Sequence, residues 1–215
     1  MKVFEIFSSI EGEGIRAGQL CTFIRLSGCN LNCSYCDTKY AMTTEAGTHM
    51  SVQEIVDEVD AICSSTNVTL TGGEPLWRCS KELRSLLEEL VARGYEVNVE
   101  TNGSIDVTPY MDPDVFFTVD YKSTSSGMTH KMLTDMFCKL REQDVVKFVV
   151  GSKQDLDEAR AFCNANGIRA RVYVSPVFGQ IELADIVEYM KRHMLNWTLQ
   201  VQLHKIIWDP EMRGV

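Results

Sequence analysis

Short β-branched, apolar runs alternate with amphipathic stretches along most of this chain, and that alternation restricts it to one kind of architecture. The runs CTFIRL (21–26), NVTLT (67–71), YEVNVE (95–100), VFFTVD (115–120), VVKFVV (145–150) and RARVYVS (169–175) have the length and composition of buried strands. Between the first two, SVQEIVDEVDAIC (51–63) reads as a helix, with Ser51 and Glu54 spaced as a capping box. Leu83, Leu86, Leu87, Leu90 and Val91 fall on one helical face, and Gly94 stands where a C-terminal cap glycine belongs. Further helical stretches are read at 129–141, 154–166 and 183–193, and TLQVQLH (198–204) as a closing strand. Repeated strand-helix units predict an α/β protein with a parallel sheet and helices outside it. Periodicity does not separate an open sheet from a barrel, but in both arrangements functional residues gather at the C-terminal ends of strands. No repeat, low-complexity tract or Pro/Ser-rich linker divides the 215 residues, so a single domain, 1–215, is expected.

The polar and glycine-rich segments fall at those strand ends: GCNLNCSYCDT (28–38), TGGEP (71–75), ETNG (100–103), DYKSTSSG (120–127) and SPV (175–177). The first carries Cys29, Cys33 and Cys36 in a C-x3-C-x2-C spacing. Close thiolates select soft metals, which leaves zinc or iron-sulfur chemistry. A structural zinc site wants four closed ligands, for which His49 or a distant cysteine would have to serve because no second C-x2-C exists. Three buried, unliganded cysteines is the plainest alternative. An iron-sulfur cluster with three protein ligands matches the spacing better and leaves one iron open to a substrate or cofactor. In TGGEP, Gly72 and Gly73 would let the backbone approach a ligand closely, and the Glu74 carboxylate suits an ammonium group.

The cysteine spacing, with Tyr35 just before the last cysteine and GGE at the next strand end, resembles the radical S-adenosylmethionine (SAM) superfamily. FSSIEGEGIRAGQLCTFIRLSGCNLNCSYCDT (7–38) is similar, almost position by position, to the N-terminus of the 7-carboxy-7-deazaguanine synthase family, and TGGEP, ETNG, KFVV and QLHK extend the likeness through nearly the whole chain. Two departures stand out: Glu11 occupies a position where the family commonly has Gln, and DYKSTSSG replaces a commoner KSPSSG-like run. The resemblance implies an incomplete, shortened β/α barrel. It also implies a 4Fe-4S cluster on Cys29, Cys33 and Cys36 with SAM as cofactor. The implied reaction is ring contraction of 6-carboxy-5,6,7,8-tetrahydropterin to 7-carboxy-7-deazaguanine with loss of ammonia, on the way to queuosine and related deazapurines. By the same likeness Tyr35, Gly73, Glu74, Asn102, Lys122 and Ser175 contact SAM. Ile10, Glu11, Gly12, Arg25, Thr71 and His204 contact the pterin, with Arg25 on its carboxylate, and Thr38 contacts Mg2+. Lys205 neighbours His204 in the segment that closes the substrate pocket. A glycyl-radical-enzyme activase, which acts on a partner protein, is the alternative within the superfamily; SIEGEG (9–14) and Arg25 speak for the small carboxylated ring instead.

Composition narrows the partners. A net charge of −9 argues against nonspecific nucleic-acid binding, which depends on Lys and Arg neutralising phosphates. No apolar window reaches the roughly 18 residues of a membrane span, and the start MKVFEIFSSIEGEG lacks a signal-peptide pattern, so a cytoplasmic protein without membrane contact is expected. The eight cysteines are then reduced thiols; Cys21, Cys63, Cys79, Cys138 and Cys163 read as small buried hydrophobes. Family membership would add a homodimer and a reductant such as flavodoxin or ferredoxin.

Overall fold

Strands buried on both faces read as apolar runs, and the computed structural model, which describes residues 1–62, 64–78, 80–210 and 212–214, assembles them into one nine-stranded sheet. Its elements are β1 (Lys2–Ile10), β2 (Leu20–Leu26), β3 (Thr48–His49), α1 (Val52–Ile62), β4 (Asn67–Gly72), α2 (Ser80–Ala92), β5 (Glu96–Thr101), β6 (Val115–Tyr121), β7 (Val145–Val150), α3 (Lys153–Asn166), β8 (Arg171–Pro176), α4 (Leu183–His193), β9 (Thr198–Leu199) and α5 (His204–Ile207). The strand order is β3-β1-β2-β4-β5-β6-β7-β8-β9. Every pair from β2 onward is parallel, whereas β1 runs antiparallel to β2 and β3. The two edges do not pair with each other, so the sheet stays open, as an incomplete barrel requires.

Alternation along each strand sends successive side chains to opposite faces. On the outer face Ile24, Leu70, Val99, Phe117, Phe148 and Val174 pack against Ile55, Leu83, Leu86, Leu156 and Ile186 of the helices, all essentially inaccessible. The inner face carries the other set, and in β4 to β7 it is polar: Thr69 and Thr71, Asn98 and Glu100, Thr118 and Asp120, then Lys147. Residues 11–18 cross beneath it. There the Arg16 guanidinium stacks 4.3 Å from the Phe116 ring and pairs with Glu96 at 3.1 Å. Gly14 exchanges two hydrogen bonds with the Gln200 side chain, at 2.7 and 3.0 Å.

Three expectations are corrected here. The helix expected over 129–141 is two 3-10 turns, Thr129–Lys131 and Thr134–Lys139, because the Leu133 N–H donates to the Gly103 carbonyl at 3.0 Å instead of continuing a helical ladder. The strand expected over 198–204 ends at Leu199, since Gln200 turns to Gly14 and the Leu203 N–H reaches the Gly12 carbonyl. Among the scattered cysteines Cys21 is buried and Cys163 half-buried, but Cys138 is exposed on the second of those turns; Cys63 and Cys79 lie outside the described residues. Gly94 does cap α2, with φ of 85°, and both Gly94 and Tyr95 donate back to the last turn.

Candidate active site

The loops after β2, β4, β5 and β6 are tied to one another at the C-terminal edge. Gly73 and Glu74 donate their backbone N–H groups to the carbonyls of Leu26 and Gly28, both at 2.9 Å. Ser34 donates its N–H to the Ser126 carbonyl at 3.1 Å and its hydroxyl to the Ser125 carbonyl at 2.6 Å. These ties explain the glycines of TGGEP differently from the sequence. A Cβ on Gly72 would lie 2.1 Å from the Leu26 oxygen, and one on Gly73 would lie 2.0 Å from the Gly28 oxygen. The close approach that the structure shows is between the two loops.

Cys33 is buried, and Cys29 and Cys36 are half-buried. Burial pushes all three thiols above their ordinary range; at Cys29 the Leu31 N–H and the Asn102 side chain oppose it, and at Cys33 the Lys122 charge does. Among the described residues no three His, Cys, Asp or Glu side chains converge as a single-ion site would need. A four-iron cluster asks for something else, one thiolate per iron from separate positions.

Glu74 is buried and accepts from Thr101 Oγ1 at 2.6 Å, the Asn102 N–H at 2.7 Å and the Leu76 N–H at 3.1 Å. It first ties the end of β5 to the loop after β4, which leaves one of a carboxylate's roughly four acceptor positions for a ligand. Lys122 pairs with Asp120 at 2.5 Å; burial works against its charge, but Asp120, Tyr35 and Cys33 hold it above the usual lysine range. The Tyr35 hydroxyl and Ser175 Oγ are buried without a hydrogen-bond partner. Buried polar atoms are ordinarily paired, so these orphans mark where a polar ligand would be completed.

Around the expected pterin positions the inner face carries a dense set of charges. Thr71 donates to Glu100 at 2.7 Å, and Lys147 lies 3.1 Å from Glu13 and 3.2 Å from Asp120. Glu13 Oε1 and Asp120 Oδ1 have no hydrogen bond, the latter meeting Lys147 only as an ion pair. Burial raises Glu100, whereas at Asp120 the cations Lys122 and Lys147 outweigh burial and keep it low. Arg25 donates Nε to Glu5 at 2.7 Å and is flanked by the rings of Phe7 and Tyr40, which leaves its terminal fork for a carboxylate. His204 packs on Gly12, where a Cβ would lie 2.8 Å from Nδ1, and Ile10 closes β1 beside them. Thr38 donates to Asp37 at 2.8 Å, and Asp37 also receives Gln202 at 3.2 Å and Lys205 at 3.5 Å. The Asp37 side chain is 47% exposed, and although the atoms crowded around its carboxyl oppose the charge, Lys205 and these hydrogen bonds hold it down to about 2.

Glu11 is 3% exposed and accepts from Thr69 at 2.6 Å. Burial first, then Glu100 and Glu13, push its carboxyl from 4.5 to about 8, against Thr69 and Lys147. It is therefore a neutral donor and acceptor at pH 7, as the Gln common at this position would be. Between 4.5 and about 8 the folded protein keeps a proton that the unfolded chain has lost, so stability falls as pH rises, by about 1.4 kcal/mol per unit. Glu11→Gln should remove that slope and gain on the parent between about pH 5 and about pH 8.5 in urea midpoints; a constant difference would show that Glu11 does not hold the proton.

Three comparisons with known proteins bear on the family and the fold. The family model of the radical SAM superfamily matches residues 23–116. The 7-carboxy-7-deazaguanine synthase of Clostridium acetobutylicum is 44% identical over 223 residues, covering 100% of this chain and 99% of its own. That of Chlorobaculum tepidum is 40% identical, covering 100% and 97%. The chain belongs to the 7-carboxy-7-deazaguanine synthase family. In fold it is similar to the crystal structure of QueE from Escherichia coli, with a TM-score of 0.75 at 22% identity over 94% of this chain and 93% of that one. Membership in this radical SAM family brings a 4Fe-4S cluster and SAM as cofactors, and the zinc-module and activase readings give way. Among the described residues no helix is long and apolar enough to cross a membrane.

Sequence reasoning missed Glu13, Glu100, Asp120 and Lys147 as parts of the site. Glu100 and Asp120 did carry a signal, polar residues alternating with apolar ones along their strands (Asn98 with Glu100, Thr118 with Asp120), and Lys147 is a lone charge within VVKFVV, whereas Glu13 lies in the loop after β1 and carries none.

Proposed function

We infer that this protein is a radical SAM carbon-nitrogen lyase that contracts 6-carboxy-5,6,7,8-tetrahydropterin to 7-carboxy-7-deazaguanine with release of ammonia. The observation that carries the reading is a chain of charge interactions that links the cysteine loop to a buried, carboxylate-rich sheet face. Lys122 acts on Cys33 and Tyr35 and pairs with Asp120, and Asp120 pairs with Lys147. A flat heterocycle rich in N–H donors fits acceptors such as Glu100, Glu13 and Asp120, and a ring carboxylate fits the fork of Arg25.

Cys29, Cys33 and Cys36 hold the cluster, and Tyr35, Gly73, Glu74, Asn102, Lys122 and Ser175 surround SAM. The cluster and SAM, when bound, supply the 5′-deoxyadenosyl radical that starts the ring contraction. Ile10, Glu11, Gly12, Thr71 and His204 frame the pterin and exclude water, with the segment from Gln200 to Lys205 drawn over it through Gly14, Gly12 and Asp37. Thr38, held by Asp37, offers a hydroxyl oxygen to Mg2+, an ion that accepts few protein ligands beside waters and substrate oxygens. The 215 residues form a single radical SAM domain of a cytoplasmic homodimer reduced by flavodoxin or ferredoxin.

Anaerobic incubation with carboxytetrahydropterin, SAM, reductant and Mg2+ tests the reading. Carboxydeazaguanine and ammonia in equal amounts are expected. SAM cleavage without either product would sink the substrate assignment while leaving the radical chemistry in place.

A further inference from the structure

Asn102 opens the loop after β5 and is 7% exposed. Its side-chain amide has no hydrogen-bonding capacity to spare. Oδ1 accepts from the Ser104 N–H at 3.0 Å and from the Ser104 hydroxyl at 2.6 Å. Nδ2 donates to Asn30 Oδ1 at 3.0 Å and to Cys29 Sγ at 3.7 Å. Asn30 completes a ring of side chains by donating its own amide to Ser104 Oγ at 2.8 Å. Two donors and two acceptor positions are all that a primary amide owns, and each has a protein partner. The ring also fixes which way the amide points: flipped, it would set its NH2 against the Ser104 N–H and its oxygen against Asn30 Oδ1 and the sulfur. The backbone is held as firmly, with the Asn102 N–H on Glu74 at 2.7 Å.

We propose that Asn102 tunes the iron-sulfur cluster through the N–H it directs at the Cys29 sulfur, rather than serving as a hydrogen-bonding contact to SAM. Hydrogen bonds to ligating sulfurs are one of the levers that set cluster potentials. A donor on a thiolate draws off negative charge and favours the reduced, more electron-rich cluster, so Asn102 raises the reduction potential. The Leu31 N–H, 3.4 Å from the same sulfur, acts in the same direction, but it is main chain and stays whatever stands at 102. Asn102 is thus a positioning residue for the electron transfer that precedes SAM cleavage. This inference rests on the three-cysteine cluster.

The test is an anaerobic redox titration of the SAM-free protein followed by the electron paramagnetic resonance of the reduced cluster, with iron and sulfide assayed in each sample. Asn102→Ala should keep its iron and sulfide and show a midpoint displaced to more negative potential. Ser104→Ala, which frees the amide to turn without touching the sulfur, should move the midpoint the same way by less. SAM affinity, read from the spectral change on adding SAM, should be retained in both. An unmoved midpoint in Asn102→Ala together with weakened SAM binding would overturn the inference and return Asn102 to SAM. Should Asn102→Ala fail to fold or to hold iron, Ser104→Ala decides alone, and its unmoved midpoint overturns the proposal. A parent protein without iron and sulfide would be a different failure, that of the cluster reading itself.

Discussion

Cys33→Ala is expected to give a folded, colourless protein with no synthase turnover and no SAM cleavage. Cys33 is 8% exposed and sits between the two Ser34 hydrogen bonds that fasten the loop to the turn after β6 and the backbone of Gly28 that fastens it to β4. Those ties use main-chain and serine groups, so the loop survives loss of the thiol, and shortening the side chain by one sulfur should cost only about 1 kcal/mol of stability. The chemistry has no such reserve. With three protein ligands a four-iron cluster already leaves one iron open, and with two it lacks the coordination that keeps it assembled. Radical generation then fails outright rather than by degrees. Iron, sulfide and visible absorbance should be lost after anaerobic reconstitution while far-ultraviolet circular dichroism stays that of the parent. Cys138→Ser, on an exposed turn, should keep colour and turnover. Full activity in Cys33→Ala would remove the cluster from the account.

How much of this was legible in the sequence depends on whether a residue's role is local. The parallel strands and α1 to α4 were legible because each strand keeps a run of β-branched or aromatic residues, as in VFFTVD and VVKFVV, and because Leu83, Leu86 and Leu90 keep helical phase. The cysteine loop was legible because three thiols within eight positions have few structural uses. β1 was not, because its segment is half-buried and its partner is fixed by an antiparallel register with β2 that runs from Val3 opposite Leu26 to Ile10 opposite Leu20. The crowding of Gly72 and Gly73 was not legible because the backbone that meets them, at Leu26 and Gly28, lies more than forty residues earlier in the chain. The contact of Asn102 with Asn30 was not legible for the same reason, since 72 residues separate the two. Glu13, Glu100, Asp120 and Lys147 were passed over for a related reason. Glu100 and Asp120 look like solvated charges at strand ends, Glu13 like one in a loop and Lys147 like a lone charge in an apolar strand, and the assembled sheet brings them to one buried face.

That buried face makes Lys147→Met the substitution with the largest expected effect on stability. Lys147 lies in the middle of β7, 6% exposed, and meets Glu13 and Asp120 directly while Glu100 acts on it at longer range. Burial works against its charge, yet these three carboxylates hold it well above the usual lysine range. Methionine matches the length of the stem and leaves the packing intact, so the loss measures charge alone. Removing one partner of a buried ion pair leaves uncompensated charge in a poorly solvated place and typically costs about 3–5 kcal/mol; urea unfolding at equal cluster content should show a loss of that size. The sign of its pH dependence follows from Glu100 and Asp120. Without Lys147 the burial that already raises Glu100 is opposed only by Thr71, and Asp120 keeps Lys122 as its sole close cation. Both carboxyls then bind protons more tightly in the folded state, and a raised folded value means stability that is present at low pH and lost as pH rises. The deficit of Lys147→Met should therefore narrow toward about pH 5 and widen above neutrality. Adding Glu100→Gln should recover part of it at pH 7, because one of the stranded acids is then neutral. A loss below about 1 kcal/mol, the size of a solvated surface pair, or a deficit that ignores pH, would mean that these charges are hydrated and that the inner face is not the dry, carboxylate-lined floor on which a pterin would lie.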